Sequence, residues 1–225
     1  MPLKRLEVII PGALNTANSP VQSGQYEPIT GLELPSGLVA GDYFDMTETE
    51  ANNYSNSSGG VATCHCGRYM WVQMDSSAVI TGNGKLIPGQ ILWWKTPGSY
   101  IVTNVEPTGA TKIAGFFLNT NNTGLYPVTP GNYFFMQALA PGRASIQMRA
   151  TISNTGPAVG DSVFAAGAGA GADASLADDI GGTGTPPTLA NIALYIGRFI
   201  GVAETAPANG SLTVVEIQKA GPSTI

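Results

Sequence analysis

Five Pro-Gly dipeptides, at Pro11-Gly12, Pro88-Gly89, Pro97-Gly98, Pro130-Gly131 and Pro141-Gly142, cut this chain into short apolar runs. Proline presets the φ of one turn position and glycine supplies the positive φ of the next, so each pair reads as a turn. The runs between them are short and rich in β-branched and aromatic residues, which is strand chemistry. They predict strands at residues 6–10, 68–75, 91–94, 100–102, 112–118, 133–137, 144–150, 162–165, 195–202 and 211–218. The fold class that follows is all-β, a β-barrel or β-sandwich. In residues 68–75, Tyr69, Trp71 and Gln73 alternate with Met70, Val72 and Met74. Bulk on both faces marks a central strand.

Residues 1–60 fit this pattern poorly and read as an extended N-terminal arm with at most one short helix. Thr47 and Glu50 have the spacing of a capping box at that helix's start. Residues 61–225 read as the β domain, interrupted at 165–187 by a stretch of Ala, Gly, Thr and Pro. Such a segment buries little surface, and a loop that is mobile or ordered only by assembly is expected there. Two blocks also look alike. The first holds Tyr69-Met70-Trp71-Val72-Gln73, Pro88-Gly89-Gln90-Ile91 and Ile113-Ala114-Gly115-Phe116. The second holds Tyr133-Phe134-Phe135-Met136-Gln137, Val159-Gly160-Asp161-Ser162-Val163 and Ile200-Gly201-Val202-Ala203. Either chance in a β-rich sequence or duplication produces such a likeness, and duplication implies two related β units.

Charged residues make up 11% of the 225, with a net charge of −5. Ordinary globular chains carry roughly 25%. Surfaces buried in assemblies are depleted in charge, so this composition is natural for a subunit that packs against other proteins. The longest basic run is Lys4-Arg5, too little for a phosphate-binding patch, so nucleic acid is not an expected partner. No apolar stretch reaches membrane-spanning length, so no membrane partner is expected either. The run at residues 6–10 contains Glu7 and stops at Pro11, too short for a secretion signal. Synthesis in the cytoplasm is the expectation.

Reactive groups are sparse, and the chain is not expected to be an enzyme or to hold a cofactor. His65 is the only histidine, and no nucleophile motif flanks it. Cys64-His65-Cys66 offers ligand types that suit zinc, but alternate strand residues point to opposite faces. No metal site is expected. Asp178-Asp179 reads as part of a solvated loop, without the regular spacing of a calcium-binding repeat. The strand aromatics read as core, with one qualification. Trp93 and Trp94 are adjacent, so if one lies in the core the other faces away and meets another strand, subunit or ligand. The interaction candidates are therefore Trp93 and Trp94, with Leu6, Val8, Ile10 and Tyr26 of the arm.

Trp71-Val72-Gln73, Lys112-Ile113-Ala114-Gly115-Phe116, Pro130-Gly131-Asn132-Tyr133-Phe134-Phe135-Met136-Gln137 and Gly142-Arg143-Ala144 occur in that order. Val159-Gly160-Asp161-Ser162-Val163, Ile200-Gly201-Val202-Ala203 and Leu212-Thr213-Val214-Val215 follow. This order resembles that of tailed-phage capsid decoration, or cement, proteins. The likeness spans roughly residues 68–218 and leaves the arm outside it. It implies a β-barrel or sandwich, homo-oligomeric with a trimer favoured, bound to the outer capsid surface, with the phage major capsid protein as partner. The rival expectation is a receptor- or carbohydrate-binding module of a head spike or fibre, with Trp93 or Trp94 stacking on sugar.

Overall fold

The computed structural model describes residues 19–23, 36–49, 51, 65–78, 85–86, 89–96, 98–105, 112–117, 126–127, 130–148, 160, 162–165, 177–179, 195–200 and 211–218. Their strands are β1 Tyr43–Met46, β2 Gly67–Met74, β3 Lys85–Leu86, β4 Ile91–Trp94, β5 Ile101–Thr103, β6 Ile113–Phe116, β7 Tyr126–Pro127, β8 Tyr133–Ala138, β9 Gly142–Met148, β10 Ser162–Ala165, β11 Ala177–Asp179, β12 Tyr195–Phe199 and β13 Ser211–Ile217. The class is all-β, as the turn pattern predicts. The strand expected at residues 6–10 lies outside the described residues, and with it Leu6, Val8, Ile10 and Tyr26.

The strands build two closed rings. In the first, β2 pairs β5 in parallel, and antiparallel pairings then run β5–β4, β4–β6, β6–β8 and back from β8 to β2. The second is a barrel in which β9 pairs β11 in parallel, followed by antiparallel β11–β10, β10–β12, β12–β13 and β13–β9. The connectivity is the same: first strand to third in parallel, then third to second, second to fourth, fourth to fifth, and fifth to first.

The registers agree as well. A bulge interrupts β4–β6 between Leu92 and Trp93, leaving Ala114 unpaired, and another interrupts β10–β12 between Val163 and Phe164, leaving Ile196 unpaired. Beside each bulge sits a glycine, Gly115 or Gly197, paired to the neighbouring fifth strand at Ala138 or Ile217. Carrying the register around each ring places Val72-Gln73-Met74 on Ile146-Gln147-Met148. Gly89 and Gly160, both at positive φ, precede the second strand of each ring by two residues. The chain is thus two copies of one five-stranded unit in tandem.

Three sequence expectations are corrected here. Tyr133–Ala138 is the last strand of the first unit, not the opening of the second, which begins at Gly142. The fourth-strand counterpart of Ile113-Ala114-Gly115-Phe116 is Tyr195-Ile196-Gly197-Arg198, not residues 200–203. Part of the 165–187 stretch expected as a loop is strand β11, which includes Asp178 and Asp179 and completes the second barrel.

The extent of the arm changes too. β1 pairs β2 from Tyr43↔Met70 to Met46↔Gly67, and Val21 and Leu38 are buried against Tyr69, Trp71 and Phe135. Residues 43–46, counted in the arm by sequence, are therefore joined to the first barrel as β1. Glu48, Thr49 and Ala51 are helical, with Ala51 N–H donating to Thr47 O at 3.0 Å, where the capping spacing predicts a helix start.

Burial follows the strand alternation. Val72, Met74, Leu92, Trp94, Val102, Ala114, Phe134 and Met136 fill the first barrel. Tyr69 and Trp71 point the other way, under the N-terminal segments. Ile91, Trp93, Ile113 and Phe116 lie on another flank of the first barrel and join Ile146, Val163, Ile196 and Val215 of the second in one apolar cluster. Each large side chain fully withdrawn from water contributes about 1.5–3 kcal/mol, so the joint between barrels is a core in its own right.

Candidate interaction surface

Trp93 and Trp94 face opposite ways, as alternation requires, yet both are covered. Trp93 has no exposed surface and Trp94 is 9% exposed, because the sheet has a core on each side. The partner of the second tryptophan is the chain's own second unit. Trp93 is withdrawn from solvent altogether, while Trp94 keeps its small exposed part on the wall of the cleft described below.

The exposed large hydrophobics among the described residues are Val39, Tyr43 and Val105. Two of them flank or begin β1. Tyr43 is 47% exposed, and the Arg68 guanidinium lies 4.0 Å from its ring centroid. Arg68 also makes a two-pronged contact with Asp45, Nε to Oδ1 at 2.8 Å and the terminal nitrogen to Oδ2 at 3.1 Å. The carboxylate contact holds the Arg68 pKa above its ordinary value. Exposed pairs of this kind add little stability, and their effect here is to set the direction of β1. β1 lies outside the ring at the edge of the first sheet and, among the described strands, pairs with β2 alone.

A second tie reaches from the same segment to the other barrel. Arg143, the second residue of β9, meets Glu48 at 2.6 Å. Arg68 and Arg143 each follow the glycine that opens the first strand of a barrel, and both reach carboxylates in residues 45–48. Beneath them, His65 Nε2 and Ser145 Oγ are 2.8 Å apart, and Tyr69 Oη donates to His65 O at 2.6 Å. Burial lowers the His65 pKa, the Arg143 charge lowers it further, and Glu48 opposes them.

A Ser–His contact is one ingredient of nucleophilic catalysis, but it also requires access to the hydroxyl. Ser145 is 4% exposed on β9, and the Glu48 carboxylate is engaged by Arg143. As built, the pair ties β2's approach to β9. Ser145 carries no motif in the sequence, so only three-dimensional proximity reveals it.

A cleft of 410 Å³ opens beside this tie, lined by Met46, Met70, Trp94, Ala114, Ala138 and the Cys66 region, with Asp45 and Arg68 also on its wall. Cys66 is a free thiol and partly buried, while Cys64 lies outside the described residues. Among the described residues, no three His, Cys, Asp or Glu side chains converge as a metal site would need. No described helix is long and apolar enough to cross a membrane. No protein-family model matches the sequence, and no curated protein matches it.

Proposed function

We propose that this chain is a structural virion protein that binds the outer surface of a phage capsid and stabilises it by bridging neighbouring major capsid subunits. The observation that carries the reading is the edge of β1. Two closed rings leave few strand edges, and β1, added to the first ring at β2, pairs with β2 alone among the described strands. Exposed Val39 and Tyr43 stand beside that edge. An extended segment of a shell subunit added to β1 would gain main-chain hydrogen bonds and apolar cover together. The 11% charge content fits a contact made by neutral surface.

The rigid body behind the edge suits a clamp. Two barrels sharing one close-packed apolar cluster suit the transmission of load between attachment points. The test is co-sedimentation of purified protein with undecorated mature capsids at low and moderate salt. Saturable binding that survives the salt supports the reading, because apolar and main-chain contacts are weakly screened. Absence of binding at both concentrations would refute it.

A further inference from the structure

The free side of β1 and the 410 Å³ cleft belong to one surface. Gly41 N–H donates to Trp71 O and Trp71 N–H donates to Asp42 O, both at 2.8 Å, so Trp71 directs its main-chain groups to the β1 side of β2. Met74 N–H donates the other way, to Asn132 O just before β8, as the alternation of an antiparallel ladder requires. Counting back from Trp71, Tyr69 is bonded to Phe44, while Tyr43 and Asp45 hold the unbonded positions opposite Met70 and Arg68. The N–H and C=O groups of Tyr43 and Asp45 therefore point away from β2. Among the described residues, no main-chain group pairs with them.

The side chains around them lead into the cleft. Arg68 lies over the Tyr43 ring and pairs with Asp45, which puts all three on one face of the sheet with Met70. Asp45, Arg68 and Met70 line the cleft, and its buried wall is Trp94, Ala114 and Ala138. Met46 lines it too, although it packs with Phe44 against Tyr69 and Trp71 on the other face. One cavity touches both faces of a strand only at that strand's edge or end, so the cleft adjoins the open border of β1.

Unpaired main-chain groups beside an apolar pocket specify an occupant. A strand satisfies the first and one of its side chains fills the second. A residue opposite Asp45 in an added strand stands on Asp45's face, which is the face that opens into the cleft. A small apolar molecule would leave the Tyr43 and Asp45 groups to water.

We propose that β1 recognises an extended peptide segment of its partner through one large apolar side chain, Leu, Met or Phe, placed opposite Asp45 and seated in the cleft. The pocket selects by chemistry and by size. Its buried wall is apolar, and Asp45 and Arg68 already satisfy each other at the rim, so a charged anchor would lose water without gaining a partner. An anchor of alanine size would leave the cleft unfilled. This selectivity rests on the attachment reading for its edge and names what that edge accepts.

The test needs no capsid. A displayed library of random dodecapeptides is selected against the full chain, and enriched peptides are synthesised with a fluorescent label for polarisation measurements. They are expected to share one large apolar position in a strand-forming stretch. Replacing that residue by Ala or Asp should weaken binding by about tenfold or more. Tyr43→Pro removes an outward N–H and spares the β1–β2 ladder, and Ala140→Trp narrows the cleft. Each should lower affinity to a similar extent, and in Ala140→Trp the parent peptide and its Ala form should bind alike. No enriched peptide, no shared apolar position, or binding indifferent to both variants would overturn the proposal. Thermal melts check folding, and if either variant fails to fold, the substitutions in the peptide decide alone. Peptide recognition without capsid binding would refute the shell as partner and leave this site standing. Capsid binding with no peptide selected would do the reverse.

Discussion

Gly115 and Gly197 stand at the same place in two different barrels. A Cβ on Gly115 would strike the carbonyl oxygen of Gln137, and one on Gly197 would strike that of Glu216. Each glycine sits beside the bulge between the second and fourth strands, where the fifth strand's backbone comes closest. The obstacle is main chain, which cannot swing aside as a side chain does.

Gly115→Ala and Gly197→Ala are accordingly expected to destabilise the protein by similar amounts. Overpacking against backbone costs about 1–3 kcal/mol or more. Urea unfolding measures both, and a loss at one site with none at the other would argue against equivalent units.

Trp93→Ala is expected to cost about 3–5 kcal/mol, the range for deleting a buried large aromatic. Its cluster spans both barrels, so the wild type is expected to melt in one calorimetric transition and the variant in two. Trp94→Ala should cost less, because Trp94 borders the open cleft and water can fill part of the space. Its loss should leave the barrels melting together.

These tryptophans also mark how far the sequence could be read. Alternation correctly puts Trp93 and Trp94 on opposite faces. It does not reveal that each face meets a core, because the second cover comes from a barrel beginning near residue 142. The repeat is visible in the Gly-led second strand, but for the fourth strand the sequence likeness falls on Gly201 instead of Gly197, where the close approach of the fifth strand demands a residue without a side chain. Its boundary is obscured because Tyr133–Ala138 imitates the aromatic pattern of β2, whereas the true counterpart, β9, carries Ala144 and Ser145 where β2 carries Met70 and Trp71. Strand β11, reading Ala-Asp-Asp, has almost no intrinsic strand preference and is held by its neighbours. The β1 edge was hidden within a segment whose only clear signal was a helix cap.

His65 predicts a pH dependence. Its native pKa lies below the ordinary 6.5, so the unfolded chain takes up a proton first as pH falls. Stability should decline from about pH 6.5 downward until the native ring also protonates, and then level off as far as this residue is concerned. For Asp75, burial alone would raise the pKa, but the Ser77 hydroxyl and Lys95 ammonium outweigh it and lower it from 3.8. The stability from Asp75 is therefore present above that value and lost as pH falls through its lower native pKa, a separate window. His65→Gln should flatten the melting-temperature profile between pH 7 and 5 while leaving the steeper fall in strong acid.

Truncation separates attachment from folding. Deleting residues 1–18 removes Leu6, Val8 and Ile10, the apolar candidates of the proposed arm, and spares Val21, Leu38 and β1. Capsid binding is expected to weaken while the thermal transition holds. Deleting residues 1–37 also removes buried Val21 and should lower stability by about 1.5–3 kcal/mol. Circular dichroism melts with parallel binding assays check both, and full binding by the shorter deletion would remove the arm from the account.

The central claim is that the β1 edge attaches the protein to a shell. The most direct measurement is co-sedimentation with undecorated mature capsids, comparing wild type with Val39→Asp/Tyr43→Asp. Both positions are exposed, so the variant should fold normally. The account predicts saturable, salt-tolerant binding of the wild type and a loss of at least tenfold in affinity for the variant, about 1.4 kcal/mol. Equal binding of the two proteins would move the contact away from β1, and failure of either to bind would contradict the capsid reading itself.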